Sequence, residues 1–236
     1  MNLACVMNHP AESAGLIGSW CDERGHRLEN FAAFESRFPE GEDFDALVVM
    51  GGPHSVNDAT EDKSVRGALG SVRSFLSLGK PVFGVCLGAQ MLAVELGGKV
   101  QEGLEKEIGW YPIAVQDPGG DHLLSGLPAE TVVFHWHGEQ IQLPPDAQLL
   151  ASSEVCPVQA FEAEGGILGL QCHLEVDSGA MERMIRAFAG EVAAGGPGVM
   201  GPEEMELGLQ KWGDSCRRSL FSILDRWEKL IPGTAG

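Results

Sequence analysis

A cysteine between two glycines is the feature of this 236-residue sequence best suited to covalent chemistry. Cys86 follows an apolar run over residues 81–85 and precedes a helical pattern over residues 87–96, with Gly84 and Gly88 two positions to either side. In such a strand–turn–helix arrangement a nucleophile projects above the sheet edge, and the glycines let strand and helix approach closely. The helix N-terminus also favours thiolate over thiol. Cys86 is therefore a candidate nucleophile, the alternative being a buried structural cysteine among packing glycines.

A histidine and a glutamate two positions apart form the second group suited to catalysis. His173 and Glu175 follow an apolar, strand-like run over residues 167–172, and residues two apart in an extended chain point the same way. The carboxylate can therefore orient the imidazole, and a thiolate nucleophile needs such a partner to protonate its leaving group. Sites in open parallel sheets form at the carboxyl ends of strands, which is where this pair lies.

A glycine-rich turn follows another strand-like run, with the sequence MGGPHS over residues 50–55. Its backbone N–H groups could supply one donor to an oxyanion, and the N–H of Leu87 beside the candidate nucleophile could supply another. Taken alone, the segment is equally well explained as a tight turn.

Two histidines separated by a tryptophan, His135 and His137, raise the question of a metal site. Such a site needs at least one more ligand at a fixed place, and no third candidate stands out in the sequence. We therefore predict no metal and no cofactor. The six cysteines are scattered, without a CxxC pair or zinc-like spacing, which indicates free thiols in a reducing compartment.

Alternating strand-like and helical patterns predict the scaffold that holds these groups. Strands are predicted over residues 3–7, 44–50 and 81–85, and helices over residues 12–24, 62–78 and 87–96. Further strands are predicted over residues 108–115, 131–136, 148–152, 158–163 and 167–172, joined by turns that include residues 117–120 and 143–145, before helix returns at residues 179–194. We therefore predict an α/β fold: a mostly parallel central sheet flanked by helices, with antiparallel strands added in the second half.

The C-terminal part carries an amphipathic pattern. Its apolar residues recur at spacings of three and four, namely Met205, Leu209, Trp212, Cys216, Leu220, Ile223, Trp227 and Leu230. This spacing predicts a helix of about seven turns, interrupted near Gly208 or Gly213. We expect an α/β domain over residues 1–195 and a helical extension over residues 196–236 packed on the same domain. The alternative for the apolar stripe is a partner or homo-oligomer surface.

Charge and hydropathy exclude several classes of protein. The chain has 34 acidic and 16 basic residues and a formal net charge of −18, which disfavours binding to a nucleic-acid backbone or to an anionic membrane. No apolar run approaches the roughly 18 residues that span a bilayer, and the first ten residues lack the features of a signal peptide. We expect a cytoplasmic protein.

Four segments in order across residues 47–176 resemble the class I, triad-type glutamine amidotransferases, and most closely the stand-alone proteins similar to the amidotransferase half of GMP synthase. They are the Gly-Gly-Pro turn at residues 51–53, GVCLGAQ at residues 84–90, WHGE at residues 136–139 and QCHLE at residues 171–175. EIGW at residues 107–110 also resembles a segment common in the stand-alone members. The resemblance covers a little over half of the chain and implies the flavodoxin-like fold of that family.

The resemblance also implies a role for each matching residue. It implies a catalytic triad of Cys86, His173 and Glu175, with oxyanion donors at the backbone of Gly52 and Leu87. The residues that it implies in contact with the substrate glutamine are Gln90, His137, Gly138 and Glu139.

The sequence departs from the family pattern at two positions next to the catalytic histidine. Leu174 stands where the family usually has proline, so the orientation of Glu175 loses the constraint that a fixed φ would give. Cys172 stands where an aromatic residue is usual, which places a second thiol near the site.

Three functions remain open from the sequence. The first is a glutamine-hydrolysing protein that releases ammonia for a separate acceptor or synthetase subunit, since the chain has no GxxxxGK[ST] phosphate-binding loop. The second is a stand-alone γ-glutamyl peptidase or hydrolase acting on a γ-glutamyl small molecule. The third is a binding or regulatory protein that keeps the fold without turnover, which the intact triad disfavours.

Overall fold

A single mixed sheet is the centre of the structure. The computed structural model describes residues 1–116 and 121–233, and the turn predicted at residues 117–120 lies outside them. The strands are β1 (Asn2–Met7), β2 (Arg27–Ala32), β3 (Ala46–Val49), β4 (Val82–Val85), β5 (Lys99–Val115), β6 (Glu130–Gln142), β7 (Gln148–Ser152), β8 (Ala160–Ala163) and β9 (Ile167–Leu170). The helices are α1 (Leu16–Arg24), α2 (Lys63–Ser77), α3 (Leu87–Glu95), α4 (Ser178–Ala187), α5 (Ala189–Ala194) and α6 (Pro202–Glu228).

The strand order confirms the predicted α/β class. Within the described residues the order is β2-β1-β3-β4-β9-β8-β7-β5-β6. Pairing is parallel from β2 to β9 and antiparallel from β9 to β6. Strands β3, β4 and β9 are buried along their whole length, as their continuous apolar sequences require of central parallel strands. The parallel pairing of β4 with β9 brings their carboxyl ends side by side.

Strand β2, strands β5 and β6, and the helix predicted over residues 179–194 differ from the sequence prediction. Strand β2 was missed because it is an edge strand with the polar, partly exposed sequence RLENFA. Strands β5 and β6 extend well beyond the predicted residues 108–115 and 131–136, because their added halves carry Glu, Lys and Gln rather than apolar residues. The helix predicted over residues 179–194 is divided into α4 and α5 at Phe188, which has φ −111° and ψ 28°.

Helix α6 runs without the predicted interruption. Gly208 lies within it and gives Trp110 of β5 room to pack, since a Cβ at this position would lie 2.0 Å from Trp110 Cδ1. Further along, the Trp227 ring contacts Phe83 of β4 at a centroid distance of 5.9 Å. Most of the apolar stripe of α6 is therefore buried against the chain's own sheet, whereas Leu230 is half exposed. Within the described residues no helix has the length and apolar character to cross a bilayer.

Candidate active site

Cys86 occupies a strained turn between β4 and α3. Its φ of 50° and ψ of −109° lie in a region that residues other than glycine rarely adopt, and such strain clusters at functional sites. Two hydrogen bonds hold it there: its N–H donates to the Leu170 carbonyl at 2.7 Å, and its carbonyl accepts from the Gln90 N–H at 3.0 Å. Strand β9 and helix α3 thus fix the backbone of the candidate nucleophile from two sides.

The two glycines that flank the turn are required by close backbone contacts. A Cβ on Gly84 would lie 2.5 Å from the carbonyl carbon of Gly88. A Cβ on Gly88 would lie 2.1 Å from the Val49 carbonyl oxygen. The helix can begin directly after Cys86 only because both positions lack a side chain, as the sequence pattern indicated.

His173 and Glu175 form a buried hydrogen-bonded pair at the end of β9. His173 Nδ1 lies 2.7 Å from Glu175 Oε1, and the two side chains are 1% and 4% exposed. The His173 backbone N–H donates to the Phe134 carbonyl of β6 at 2.7 Å, so a neighbouring strand also positions the imidazole. His173 Nε2 has no hydrogen-bond partner among the described residues, which leaves this nitrogen available for the thiol or a leaving group.

The electrostatics couple Cys86 to this pair. Burial raises the pKa of the Cys86 thiol, and the nearby His173 imidazole opposes that rise. Burial also works to lower the pKa of His173, but Glu175 and Cys86 outweigh it and raise that pKa well above 6.5. The imidazole therefore holds a proton firmly, and protonated His173 favours the thiolate form of its neighbour.

The glycine-rich turn packs directly on the start of α3. A Cβ on Gly52 would lie 2.9 Å from Asn8 Cβ and 3.2 Å from Leu87 Cδ2. Leu87 is the first residue of α3, where a backbone N–H has no acceptor within the helix. The two backbone segments predicted to hold an oxyanion therefore lie against each other beside Cys86.

A cleft of about 550 Å³ opens above Cys86. Predicted site residues that line it are Gly52, Cys86, Gln90, His137, Gly138 and Glu139. His173 and Glu175 are buried behind this lining. The cleft therefore brings the candidate nucleophile together with the segments expected to contact substrate.

Gln90 and Glu139 have side-chain partners at the cleft. Gln90 Nε2 donates to Gln171 Oε1 at 3.2 Å, and Gln171 Nε2 donates to Cys86 Sγ at 3.6 Å. Glu139 Oε1, also in the cleft lining, accepts from Ser55 Oγ at 2.7 Å. These contacts orient polar groups that line the cleft.

The His137 side chain belongs to a buried polar group behind the cleft wall. It is 2% exposed, and its Nε2 lies 3.1 Å from Glu107 Oε2. Burial works to raise the pKa of Glu107, but His137 and His135 outweigh it and hold that pKa below its ordinary value. For His135, burial lowers the pKa to about 3. Sequence reasoning found no partner for the two histidines because Glu107 lies on a different strand.

Glu12 is a cleft residue that sequence reasoning missed. Its side chain is buried, and its Oε2 has no hydrogen-bond partner among the described residues. A Cβ on Gly51 would lie 1.9 Å from this oxygen and 3.3 Å from Cys86 Cβ, so Glu12 reaches the immediate neighbourhood of the thiol. Burial raises the pKa of Glu12 to about 7, although the His173 charge opposes the rise. A single glutamate in the loop between β1 and α1 carries no sequence signal of this position.

The two residues that depart from the family pattern are both packed in the core. Cys172 is fully buried, and burial raises the pKa of its thiol well above 9. Leu174 is 2% exposed within the main apolar cluster. The 2.7 Å contact between the His173 and Glu175 side chains is therefore formed with leucine, rather than proline, at position 174.

The chain belongs to the class I glutamine amidotransferase family, whose model matches residues 23–192. This range includes Cys86, His173 and Glu175 and ends before α6 begins. The fold and this match therefore agree with the resemblance of the sequence motifs.

Two relatives show which members of that family the chain is similar to. It is 33% identical over 199 residues to the glutamine amidotransferase-like protein YfeJ of Salmonella typhimurium. This alignment covers 82% of this chain and 83% of that protein. It is 38% identical over 133 residues to the GMP synthase (glutamine-hydrolyzing) of Streptomyces coelicolor. This alignment covers 56% of this chain but only 24% of that longer protein.

Solved structures of glutamine amidotransferases superimpose on nearly the whole chain. The protein from Methylobacillus flagellatus matches with a TM-score of 0.88 and 26% identity, covering 98% of this chain and 95% of that one. The protein from Thermotoga maritima matches with a TM-score of 0.87 and 25% identity, covering 96% and 97%. These matches include α6, which lies outside the range of the family model.

Proposed function

We propose that this protein hydrolyses the side-chain amide of glutamine through a covalent γ-glutamyl thioester on Cys86, releasing ammonia for a separate acceptor. The observation that carries the proposal is the proximity of a strained cysteine after β4 to a buried His–Glu pair after the neighbouring strand β9. Such a set supplies a nucleophile, a proton carrier and a group that orients the carrier.

The acylation half of the reaction follows from the positions of these groups. The Cys86 sulfur attacks the amide carbon, and the N–H groups of Gly52 and Leu87 stabilise the oxyanion that forms. His173, oriented by Glu175, then gives a proton to the departing nitrogen as the carbon–nitrogen bond breaks. The products are ammonia and the thioester.

Deacylation uses the same groups in reverse. Neutral His173 takes a proton from water, and the resulting hydroxide attacks the thioester carbon. When the carbon–sulfur bond breaks, glutamate leaves and the proton returns to the thiol–imidazole pair. The cleft supplies room for the γ-glutamyl group between Gln90 and Glu139.

A synthetase subunit is the partner that we propose for the released ammonia. The proposal is supported by relatives named glutamine-hydrolyzing GMP synthases, in which the matched segment is about a quarter of a longer protein. Its test is ammonia transfer in a mixture of the protein with a candidate synthetase.

The glutaminase proposal is tested by measuring ammonia release from glutamine by purified protein. We expect turnover by the wild type and a loss of about 10,000-fold or more in Cys86→Ala. Cys172→Ala is the matched control, because it removes another buried thiol near the site and should retain most of the activity. Equal turnover by wild type and Cys86→Ala would refute the role of Cys86.

The charge of the cleft favours a second candidate function, hydrolysis of γ-glutamyl amides that carry a cationic amine. The cleft lining includes the carboxylates Glu12, Asp58, Glu102, Glu105, Glu139 and Glu191. Its lysine, Lys106, is already paired with Glu191 at 2.8 Å. An excess of carboxylates over cationic side chains among the described lining residues attracts a leaving group with an ammonium tail and disfavours one with a carboxylate.

Three substrates of similar length separate the two functions. They are the γ-glutamyl amides of 1,4-diaminobutane, of an alkylamine without the second amino group, and of 4-aminobutanoate. The second function predicts the highest kcat/KM for the diamine amide and the lowest for the carboxylate. Ammonia release from glutamine without cleavage of any of the three would support the glutaminase alone.

A further inference from the structure

A group of three buried ligand-type side chains lies behind the wall of the cleft. Glu107 of β5 is directly opposite His137 of β6, and His135 lies two residues away on the same face of β6. The three side chains are at most 5% exposed. One nitrogen or oxygen from each lies within 4.8 Å of the others. We call Glu107, His135 and His137 the buried Glu–His–His group.

Backbone carbonyls fix which nitrogen of each neutral imidazole carries the hydrogen. His135 Nε2 lies 3.2 Å from the Tyr111 carbonyl oxygen, and His137 Nδ1 lies 3.1 Å from the Glu139 carbonyl oxygen. A carbonyl only accepts, so each of these nitrogens carries the proton, and a neutral imidazole has only one. In their neutral forms, His135 Nδ1 and His137 Nε2 therefore present lone pairs to the rest of the group.

Both nitrogens face a carboxylate oxygen of Glu107, which is itself a hydrogen-bond acceptor. Glu107 Oε2 lies 3.9 Å from His135 Nδ1 and 3.1 Å from His137 Nε2. The donor available to them is Gln159 Nε2, 2.6 Å from Glu107 Oε2 and 3.3 Å from His137 Nε2. Among the residues that the structure describes, His135 Nδ1 has no hydrogen-bond partner, and neither has Gln159 Oε1. Acceptors that face one another away from water are unfavourable unless a metal ion or a further proton lies between them.

The separations suit a small metal ion. Ligands about 2.0–2.1 Å from a tetrahedral zinc ion lie about 3.4 Å from one another. The two imidazole nitrogens lie 3.9 and 3.1 Å from Glu107 Oε2, and all three ligand atoms lie within 4.8 Å of one another. The contacts outside the group are also those of a metal site, where ligating histidines donate their second N–H to carbonyl groups. Ser153 Oγ similarly donates to Glu107 Oε1 at 2.7 Å.

We propose that Glu107, His135 and His137 bind one divalent transition-metal ion, with zinc as the best fit. Turning the Gln159 amide through 180° would place its unpaired oxygen in the group as a fourth ligand. Two imidazoles with oxygen ligands suit zinc and its neighbours in the first transition row. Since the group is closed to solvent, the ion has a structural role and does not touch substrate.

The ion would stabilise the strand that supports the catalytic groups. Residues 134 and 136 alternate with the two histidines along β6. The Phe134 carbonyl accepts from the His173 N–H, and the Trp136 carbonyl accepts from the Cys86 thiol at 3.7 Å. An ion held by side chains of β6 would therefore fix the strand whose Phe134 and Trp136 carbonyls contact His173 and Cys86.

Metal analysis of untagged protein, produced in zinc-supplemented medium, tests the proposal. We expect about one equivalent of bound zinc in the wild type, and a loss of most of it in Glu107→Gln and in His135→Gln. His26→Gln is the matched control, because it removes a histidine outside the group and should leave the metal content unchanged. Wild-type protein without metal above the level of Glu107→Gln would overturn the proposal.

A second measurement does not depend on the folding of the variants. Wild-type protein is unfolded, freed of metal by a chelator and refolded with Co²⁺ or without metal. Binding predicts the visible absorption bands of tetrahedral Co²⁺ and a higher thermal midpoint in the refolded sample that contains the ion. Refolded protein with neither change, and with His137 protonated on both nitrogens in ¹⁵N spectra, would show that a proton occupies the group instead.

Discussion

At the scale of single residues, the site depends on a few buried groups whose charges are set by one another. Cys86 and His173 lie in surroundings that disfavour charge, and each stabilises the charged form of the other. Glu175 supplies the carboxylate that makes a protonated imidazole favourable at this depth. Cys86, His173 and Glu175 therefore behave as a coupled unit, and removing one of them changes the protonation of the other two.

The first prediction concerns Glu175→Gln. The pKa of His173 in the folded protein is well above its ordinary value of 6.5. The proton on His173 therefore contributes its full stability when the pH is below 6.5, the pKa expected in the unfolded chain. That stability is lost as the pH rises through the folded pKa. Glu175→Gln should therefore be most destabilising near pH 6.5, by about 1–3 kcal/mol, and progressively less so at alkaline pH. Glu182→Gln, at an exposed ion pair with Arg186, is the control. A stability difference independent of pH in denaturant unfolding would contradict this.

The second prediction concerns Glu12→Gln. Because the pKa of Glu12 is raised from 4.5 to about 7, the folded state keeps a proton that the unfolded state has lost. Wild-type stability therefore falls as the pH rises across this interval. A glutamine at position 12 is uncharged at every pH, so the variant does not lose stability through the burial of a charge. The variant should match the wild type at about pH 5 and exceed its free energy of unfolding by about 1–3 kcal/mol at about pH 8. A variant less stable than the wild type at both pH values would show that Glu12 is not destabilised by burial of its charge.

At the scale of elements, the sheet brings together what the chain separates. The carboxyl ends of β4 and β9 carry Cys86 and the His173–Glu175 pair, and β6 supplies carbonyls to both. Close packing of helices on this sheet depends on small residues, of which Gly208 in α6 is a clear case because Trp110 fills the space where its side chain would be.

The third prediction tests that contact. Gly208→Ala should lower the free energy of unfolding by about 1–3 kcal/mol, because the added methyl group meets the rigid Trp110 ring. Gly70→Ala in α2 is the matched control, since a Cβ there meets no atom within 4 Å. It should raise stability by about 0.5–1 kcal/mol through helix propensity. Denaturant unfolding of the two variants measures both effects, and a stabilised Gly208→Ala would contradict the packing described.

The sequence predicts the elements whose burial is uniform and misses those whose environment changes along their length. Strands such as β3 and β4 have continuous apolar patterns and were found. The outer halves of β5 and β6 are polar and were missed, because pairing rather than burial makes them strands. For the same reason Glu107 could not be linked to His135 and His137, since only the register of β5 on β6 brings them together. Glu12 reaches the cleft through a loop, and loops leave no periodic pattern.

At the scale of the whole molecule, a net charge of −18 is combined with a cleft that is itself rich in carboxylates. The field of the protein therefore adds to the local charges at the mouth of the cleft rather than opposing them. Cationic substrates gain from both contributions, while small neutral substrates are little affected.

The fourth prediction follows from this field. For the γ-glutamyl amide of 1,4-diaminobutane, kcat/KM should fall by about threefold or more between low ionic strength and about 0.5 M salt, because salt screens the attraction. For the alkylamine amide the same ratio should stay nearly constant. Parallel steady-state measurements over a salt series compare the two. The same salt dependence for both substrates would show that the acidic cleft does not select for charge.

The central claim, that Cys86 is the nucleophile of a glutamine-type acyl transfer, is tested most directly by covalent labelling. Purified protein is treated with an electrophilic glutamine analogue, and the modified residue is located by peptide mass spectrometry. We predict about one equivalent of adduct, located on Cys86, with its formation abolished in Cys86→Ala and retained in Cys172→Ala. Labelling on Cys172 or elsewhere with Cys86 unmodified, or labelling that persists in Cys86→Ala, would contradict the account.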